Sequence, residues 1–222
     1  MTGGIALARH RLIVPRPRAK YRIGKMPAAA TAVGGAAGFA AMSALVAGHH
    51  TSRFDGAVRS RIGTRHNKAA RAAVATLGYS GKSWVHGPAA ALLASYVEHR
   101  GSLEGSRAIN LASTLSTSTS KTTDWALKHR KPPPGRHSPQ EQSFPSGHTL
   151  ETAALALTAA HVLSREGLAD PRVAFAIAAM IPLLEGAGRL YLDLHWATDV
   201  IAGLFGGIAI AGVCVLGYEA KT

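Results

Sequence analysis

Cysteine is all but missing from this chain. Cys214 is the only one in 222 residues, which excludes a disulfide framework within the chain and a cysteine-based zinc cluster. It sits in an apolar run and reads as a packing thiol. Aromatic residues are also scarce, at 6%. The apolar count rests instead on alanine and 24 glycines, so the core must come from closely packed helices rather than large aromatic plugs. Acid is the third shortage, with 12 Asp and Glu against 25 Lys and Arg and a net charge of +13. That balance suits an anionic partner: nucleic acid, anionic lipid or a phosphorylated substrate. Sustained two-residue alternation is absent, so strands are not expected.

Charge is missing most tellingly in particular stretches. Residues 1–25 carry seven Lys or Arg and no acid, and residues 26–48 carry no charged side chain at all. A bilayer needs about 20 consecutive apolar residues, which 26–48 supplies. A signal peptide would share the basic tail, but its apolar region runs to only about 7–15 residues. The expectation is an uncleaved first membrane helix. Five more candidate spans follow, over 72–97, 108–127, 148–164, 173–192 and 200–218. The last is again free of charge. The middle four are too polar to face lipid all round, but their small and hydroxyl residues suit helix–helix contact inside a bundle. A soluble bundle is the competing reading, yet 26–48 and 200–218 show no polar face. The expected fold is therefore all-α: a basic tail over 1–25, then a six-helix transmembrane bundle over 26–222. The spans argue against nucleic acid as the partner. Residues 49–71 form a basic connection with a weak amphipathic signal. Lys128 to Ser143 must be a loop, because Pro132-Pro133-Pro134-Gly135 cannot continue a helix.

Two stretches carry chemistry. In Phe144-Pro145-Ser146-Gly147-His148-Thr149, the Pro-Ser-Gly run reads as a helix start, where outward N–H groups favour an anion. Gly147 would let that anion approach, with His148 at the rim. In Gly188 to Asp199, His195 and Asp199 stand four apart. On a helix they share a face, so the carboxylate can hold the imidazole by one nitrogen and leave the other to attack. Arg189 lies six residues before His195 and offers a guanidinium that can grip two phosphate oxygens. A basic cradle with one oriented histidine and a second histidine suits phosphoryl transfer through a histidine nucleophile. The plainer alternative is a helix cap with a local polar pair.

These residues resemble the type 2 phosphatidic acid phosphatase superfamily, which also contains the vanadium haloperoxidases. Pro145 to His148 match the family's Pro-Ser-Gly-His motif in full. Arg189, His195 and Asp199 keep the gaps of its Ser-Arg, His, Asp motif, with Gly188 in place of the serine. The family's first motif, Lys, six residues, Arg-Pro, is matched imperfectly. Lys128 and Arg136 are separated by seven residues, and His137 replaces the proline. Lys121 and Lys128 keep the gap but lose both Arg and Pro. Lys128 and Arg136 are preferred because their loop leads into Ser146.

The resemblance implies roles. His195 would attack phosphorus, Asp199 would orient it, and His148 would protonate the leaving oxygen and then activate water. Lys128, Arg136, Arg189, Ser146 and the Gly147 backbone would hold the equatorial oxygens. The scheme needs no cofactor and no metal. The implied partners are membrane lipids and a lipid or prenyl phosphate substrate; protein partners are left open. The site is expected at one membrane face, opposite the N-terminus. The basic tail favours a cytoplasmic N-terminus and so an outer-face site on the cell membrane, although the basic 49–71 connection argues the other way. A phosphotransferase using the same phosphohistidine, a haloperoxidase and a non-catalytic lipid-binding protein are the alternatives.

Overall fold

A computed structural model of the chain describes residues 21, 24–62, 67–79, 81–126, 130–134 and 142–222. Most of the basic tail over 1–25 therefore lies outside the described residues. Those described form eight helices and no strand: α1 (Lys25–Ala47), α2 (Ser52–Ile62), α3 (Lys68–Leu77), α4 (Ser83–His99), α5 (Leu103–Ala126), α6 (Gly147–Arg165), α7 (Pro171–Tyr191) and α8 (Ala197–Glu219).

Helix boundaries follow local chemistry. Asn67 caps α3 by accepting from the Ala69 N–H. Asp170 caps α7 by accepting from the Arg172 and Val173 N–H groups, with Pro171 at the first helical position, where no N–H is missed. Gly101 (φ 94°) ends the turn after α4, a backbone state that favours glycine.

The expected span over 72–97 is not one helix. It breaks into α3 and α4 at the Gly78–Lys82 turn, because two glycines and the flanking polar residues interrupt the apolar pattern. The 49–71 connection is likewise more ordered than the sequence suggests, holding all of α2 and the first turn of α3.

At the centre lies α8, packed on α1 and α6, with α5 beside it; α7 lies against α6, and α4 against α5. Glycine makes these approaches possible. A Cβ at Gly203 would stand 2.7 Å from the Ser146 carbonyl, and one at Gly207 would stand 2.7 Å from the Leu150 carbonyl. On the α1 side, Gly35 meets the Ala209 backbone and Gly212 meets Ala32, each at 2.5 Å from an added Cβ. The scarcity of aromatics is thus matched by backbone-to-backbone packing.

Three helices, α1, α7 and α8, are long and apolar enough to cross a membrane. The outward face of α7 is a stripe of Val173, Ile177, Met180, Ile181 and Leu184, all exposed, as a lipid-facing surface requires. Helices α4, α5 and α6 are more polar and turn small or hydroxyl residues inward, among them Ala90, Ala94, Ser116 and Ser120.

The two ends of the bundle differ. At one end, His161 on α6 and Arg165 meet Glu219, while the Tyr218 hydroxyl donates to Glu166 at 2.6 Å. Tyr21 packs its ring on His161 and Phe175, and burial, then Glu219, push its hydroxyl above the ordinary range. The other end gathers the start of α6, the close of α7, the start of α8, the α3–α4 turn and all of α2. The end of α1 also lies there, so the start of α1 is at the opposite end.

Candidate active site

Helix α6 begins at Gly147 with Ser146 as its N-cap residue, as the Pro-Ser-Gly run predicts. Ser146 is fully buried; its hydroxyl meets Thr149 Oγ1 at 3.0 Å, and its N–H donates to the Asp199 carbonyl at 3.0 Å. The starts of α6 and α8 are thereby tied together. Gly147 also has a close packing neighbour: the place of its missing Cβ lies 2.5 Å from Ser120 Oγ on α5.

His195 is not on a helix. It lies in the turn between α7 and α8, just ahead of Trp196, the residue that opens α8. Its Nδ1 stands 2.7 Å from the Ser143 carbonyl. A carbonyl only accepts, so Nδ1 carries the proton and, in the neutral ring, Nε2 carries the lone pair. Asp199 is 4.0 Å from the same Nδ1, as a neighbouring charge rather than the hydrogen-bond partner expected from the spacing. The ring is held by the backbone of the loop that leads into α6.

Asp199 has other commitments. One oxygen accepts from the Trp196 N–H at 2.8 Å and so caps α8 from its third position; the other accepts from Arg130 Nε at 2.8 Å. The helix-cap reading and the site reading are both true of this residue.

Arg189 closes α7, buried, with Glu185 Oε2 3.7 Å from its Nη2. Its Nε is buried and has no hydrogen-bond partner among the described residues. His148, one position into α6, is in the same condition: its Nε2 is buried and unsatisfied among the described residues. Arg189, His195 and Lys82 all lie within electrostatic reach of His148, and the Gly78 carbonyl lies beside its ring. Arg189 Nε is a donor left open among the described residues and offers a place for an anion; His148 Nε2 can donate to the same group only when its ring is protonated.

The roof of that place comes from a segment the sequence offered only as a span breaker. A Cβ at Gly78 would fall 1.5 Å from Arg189 Nη2, and one at Gly81 would fall 2.6 Å from His148 Cδ2. The α3–α4 turn therefore lies directly on both residues. Two glycines followed by Lys82 inside an otherwise apolar stretch were the available signal.

Of the sequence-derived set, the structure brings His148, Ser146, Gly147, Arg189, His195 and Asp199 to one end of the bundle. Lys128 and Arg136 lie outside the described residues. Between them, Arg130 reaches into the site and bonds Asp199; reading by motif gaps passes over it in favour of its flanking cations. Its signal was the cation cluster of the Pro-rich loop itself. A stack of Phe144 on Phe39 of α1, with ring centroids 6.3 Å apart, anchors that loop's far end.

The fold is thus a membrane-embedded helical bundle that gathers two histidines, a carboxylate and an arginine at one end. The chain belongs to the PAP2 superfamily, whose family model matches residues 110–222. It is 34% identical over 77 residues to lipid phosphate phosphatase delta of Arabidopsis thaliana, covering 33% of this chain and 18% of that protein. It is 32% identical over 82 residues to phosphatidylglycerophosphatase B of Bacillus subtilis (strain 168), covering 36% of this chain and 40% of that one. The matched segments thus span less than half the length of either relative. The fold also matches the crystal structure of a transmembrane PAP2 type phosphatidylglycerolphosphate phosphatase from Bacillus subtilis. That match has a TM-score of 0.74 at 21% identity and covers 86% of this chain and 96% of that one. With its apolar helices, the chain is an integral-membrane member of the superfamily.

Proposed function

We propose that the protein is a metal-independent lipid phosphate phosphatase working through a phosphohistidine. The observation that carries this reading is that a tautomer-fixed His195 shares one end of the bundle with two buried nitrogens, His148 Nε2 and Arg189 Nε, that have no hydrogen-bond partner among the described residues. In the first step His195 Nε2 attacks phosphorus. The N–P bond forms, the bond from phosphorus to the lipid oxygen breaks, and His148 gives that oxygen its proton. In the second step His148 takes a proton from water, the hydroxide attacks phosphorus, and the N–P bond breaks. Inorganic phosphate leaves and His195 is restored. Arg189, the α6 N-terminus and Lys82 stabilise the charge on the equatorial oxygens. Lys128 and Arg136 remain the cations proposed from the motif.

A lipid substrate is supported by the position of the site at the helix ends. Trp84 opens α4 and Trp125 nears the end of α5, both strongly exposed at that same end, as in aromatic belts at a membrane interface. Phosphatidate, phosphatidylglycerophosphate and polyprenyl phosphates or diphosphates share the needed chemistry: an anionic head and an apolar tail. The more polar α4, α5 and α6 complete a six-span bundle in this reading, and the site faces the outer side of the cell membrane.

Phosphate release by the detergent-purified protein, with chelator present, across those lipids tests the reading. Release that survives chelator and disappears in His195→Ala is expected. Release that needs a divalent metal, or persists in His195→Ala, would sink it. Transfer of label to an added alcohol instead of water would make the protein a transferase.

A further inference from the structure

Outside the motif residues, the most heavily bonded buried charge in the protein's active-site end is Asp55, on α2. It is 2% exposed and belongs to none of the motifs. One of its oxygens accepts from the Thr198 backbone N–H at 3.0 Å; the other accepts from Thr198 Oγ1 at 2.8 Å and from Arg130 Nη2 at 2.7 Å. Arg130 in turn donates through Nη2 to Thr198 Oγ1 at 2.8 Å and through Nε to Asp199 at 2.8 Å. Asp55 thus holds the residue beside Asp199 by its backbone, and shares with Asp199 the guanidinium of Arg130.

We propose that Asp55 is a positioning residue for the reaction: through Arg130 and Thr198 it fixes the place of Asp199 beside His195 and keeps that carboxylate's charge from being consumed by Arg130 alone. Two carboxylates on one guanidinium leave a net negative charge next to His195. That charge favours a basic, nucleophilic Nε2. Of the other charges near His195, Arg59 pairs with Asp193 at 2.9 Å and Arg189 with Glu185 at 3.7 Å, while Lys82 and the motif cations are given to the phosphate in the proposed reaction. With Asp55 neutral, Arg130 would be left to Asp199, and the net charge beside the imidazole would vanish. A helix that the sequence offers only as a weak amphipathic connection would then set the reactivity of the nucleophile. This inference rests on the proposed phosphohistidine chemistry for its effect on turnover, but not for its effect on His195 itself.

The test compares the full-length protein with Asp55→Asn, Asp55→Glu and the Asp55→Asn/Arg130→Gln double variant against Arg130→Gln, in detergent. Two readouts are taken. The first is steady-state phosphate release from phosphatidate. The second is the rate at which diethyl pyrocarbonate modifies His195, measured at a pH above the imidazole titration so that the ring is neutral in every variant, and followed by mass spectrometry of the tryptic peptide 190–221, in which His195 is the only histidine. Asp55→Asn is expected to lower kcat at least tenfold with KM within twofold, and to slow His195 modification at least threefold. Asp55→Glu is expected to recover part of both, and Asp55→Asn to add less than threefold once Arg130 is already Gln. Unfolding would do the opposite to the label, since loss of structure exposes His195 and the buried His161 and speeds the modification of both. His195 modified at the parental rate or faster in Asp55→Asn would overturn the proposal, as would full multiplication of the two losses in the double variant. A parent that releases no phosphate while the variant still slows His195 labelling would refute the proposed activity and leave the positioning role standing.

Discussion

At the scale of single residues, the proposed chemistry separates groups that serve the fold from groups that serve an anion. His195→Ala should lower phosphate release by a factor of about 10^4 or more, the usual consequence of removing a nucleophile. His148→Ala should lower it by about 10^2–10^4 and should let phosphohistidine accumulate on an aryl phosphate, whose leaving group needs no acid. Acid-labile radiolabel retained on the protein after a single turnover would show it; an unlabelled His148→Ala would refute the assignment. The α3–α4 turn makes a finer prediction. Gly78→Ala drives a methyl into the Arg189 guanidinium and should raise KM about tenfold or more. Gly81→Ala meets the His148 ring and should act mainly on kcat. Equal effects on both constants in both variants would argue against this division of labour. That His148, Arg189, His195 and Asp199 share one end of the bundle was legible, because short motifs at two helix starts carry them. Arg130, Asp55 and the Gly78–Lys82 turn were not, because long-range contact alone brings them to the site.

At the scale of helices, close approach is bought with glycine, and the protein contains its own controls. Gly207→Val should destabilise by about 1–3 kcal/mol, since its Cβ would lie against the Leu150 carbonyl and Ala153. Gly34→Ala, on α1 with open space around it, should instead raise stability by about 0.5–1 kcal/mol. Thermal unfolding of the purified variants distinguishes the two, and equal shifts would refute the packing assignment. The apolar runs announced α1 and α8 almost to the residue, because charge-free stretches of that length admit little else. The break between α3 and α4 was less legible. Hydropathy averages across a turn, and only the glycines within 72–97 mark it.

For the whole molecule, the bundle puts the site at the end opposite the start of α1. The outer-face placement predicts a labelling pattern. In a Cys214→Ser background, a cysteine at exposed Lys131 should react with an impermeant maleimide on intact cells, and one at Thr222, at the far end of α8, only after permeabilisation. The reverse pattern would place the site inside. The number of spans was less legible than their existence. Polar helices such as α5 are long enough by geometry, but among the described residues only α1, α7 and α8 are apolar enough to cross a membrane by composition.

The double employment of Asp199 bears on descent. Because its carboxylate caps α8 and pairs Arg130, a lineage that had abandoned catalysis would still be held to aspartate here for the sake of folding. His148 is under a lighter obligation: its ring meets the Gly78 carbonyl, but its buried Nε2 has no hydrogen bond among the described residues. On the proposed chemistry, drift in such a lineage would reach His148 before it reached Asp199.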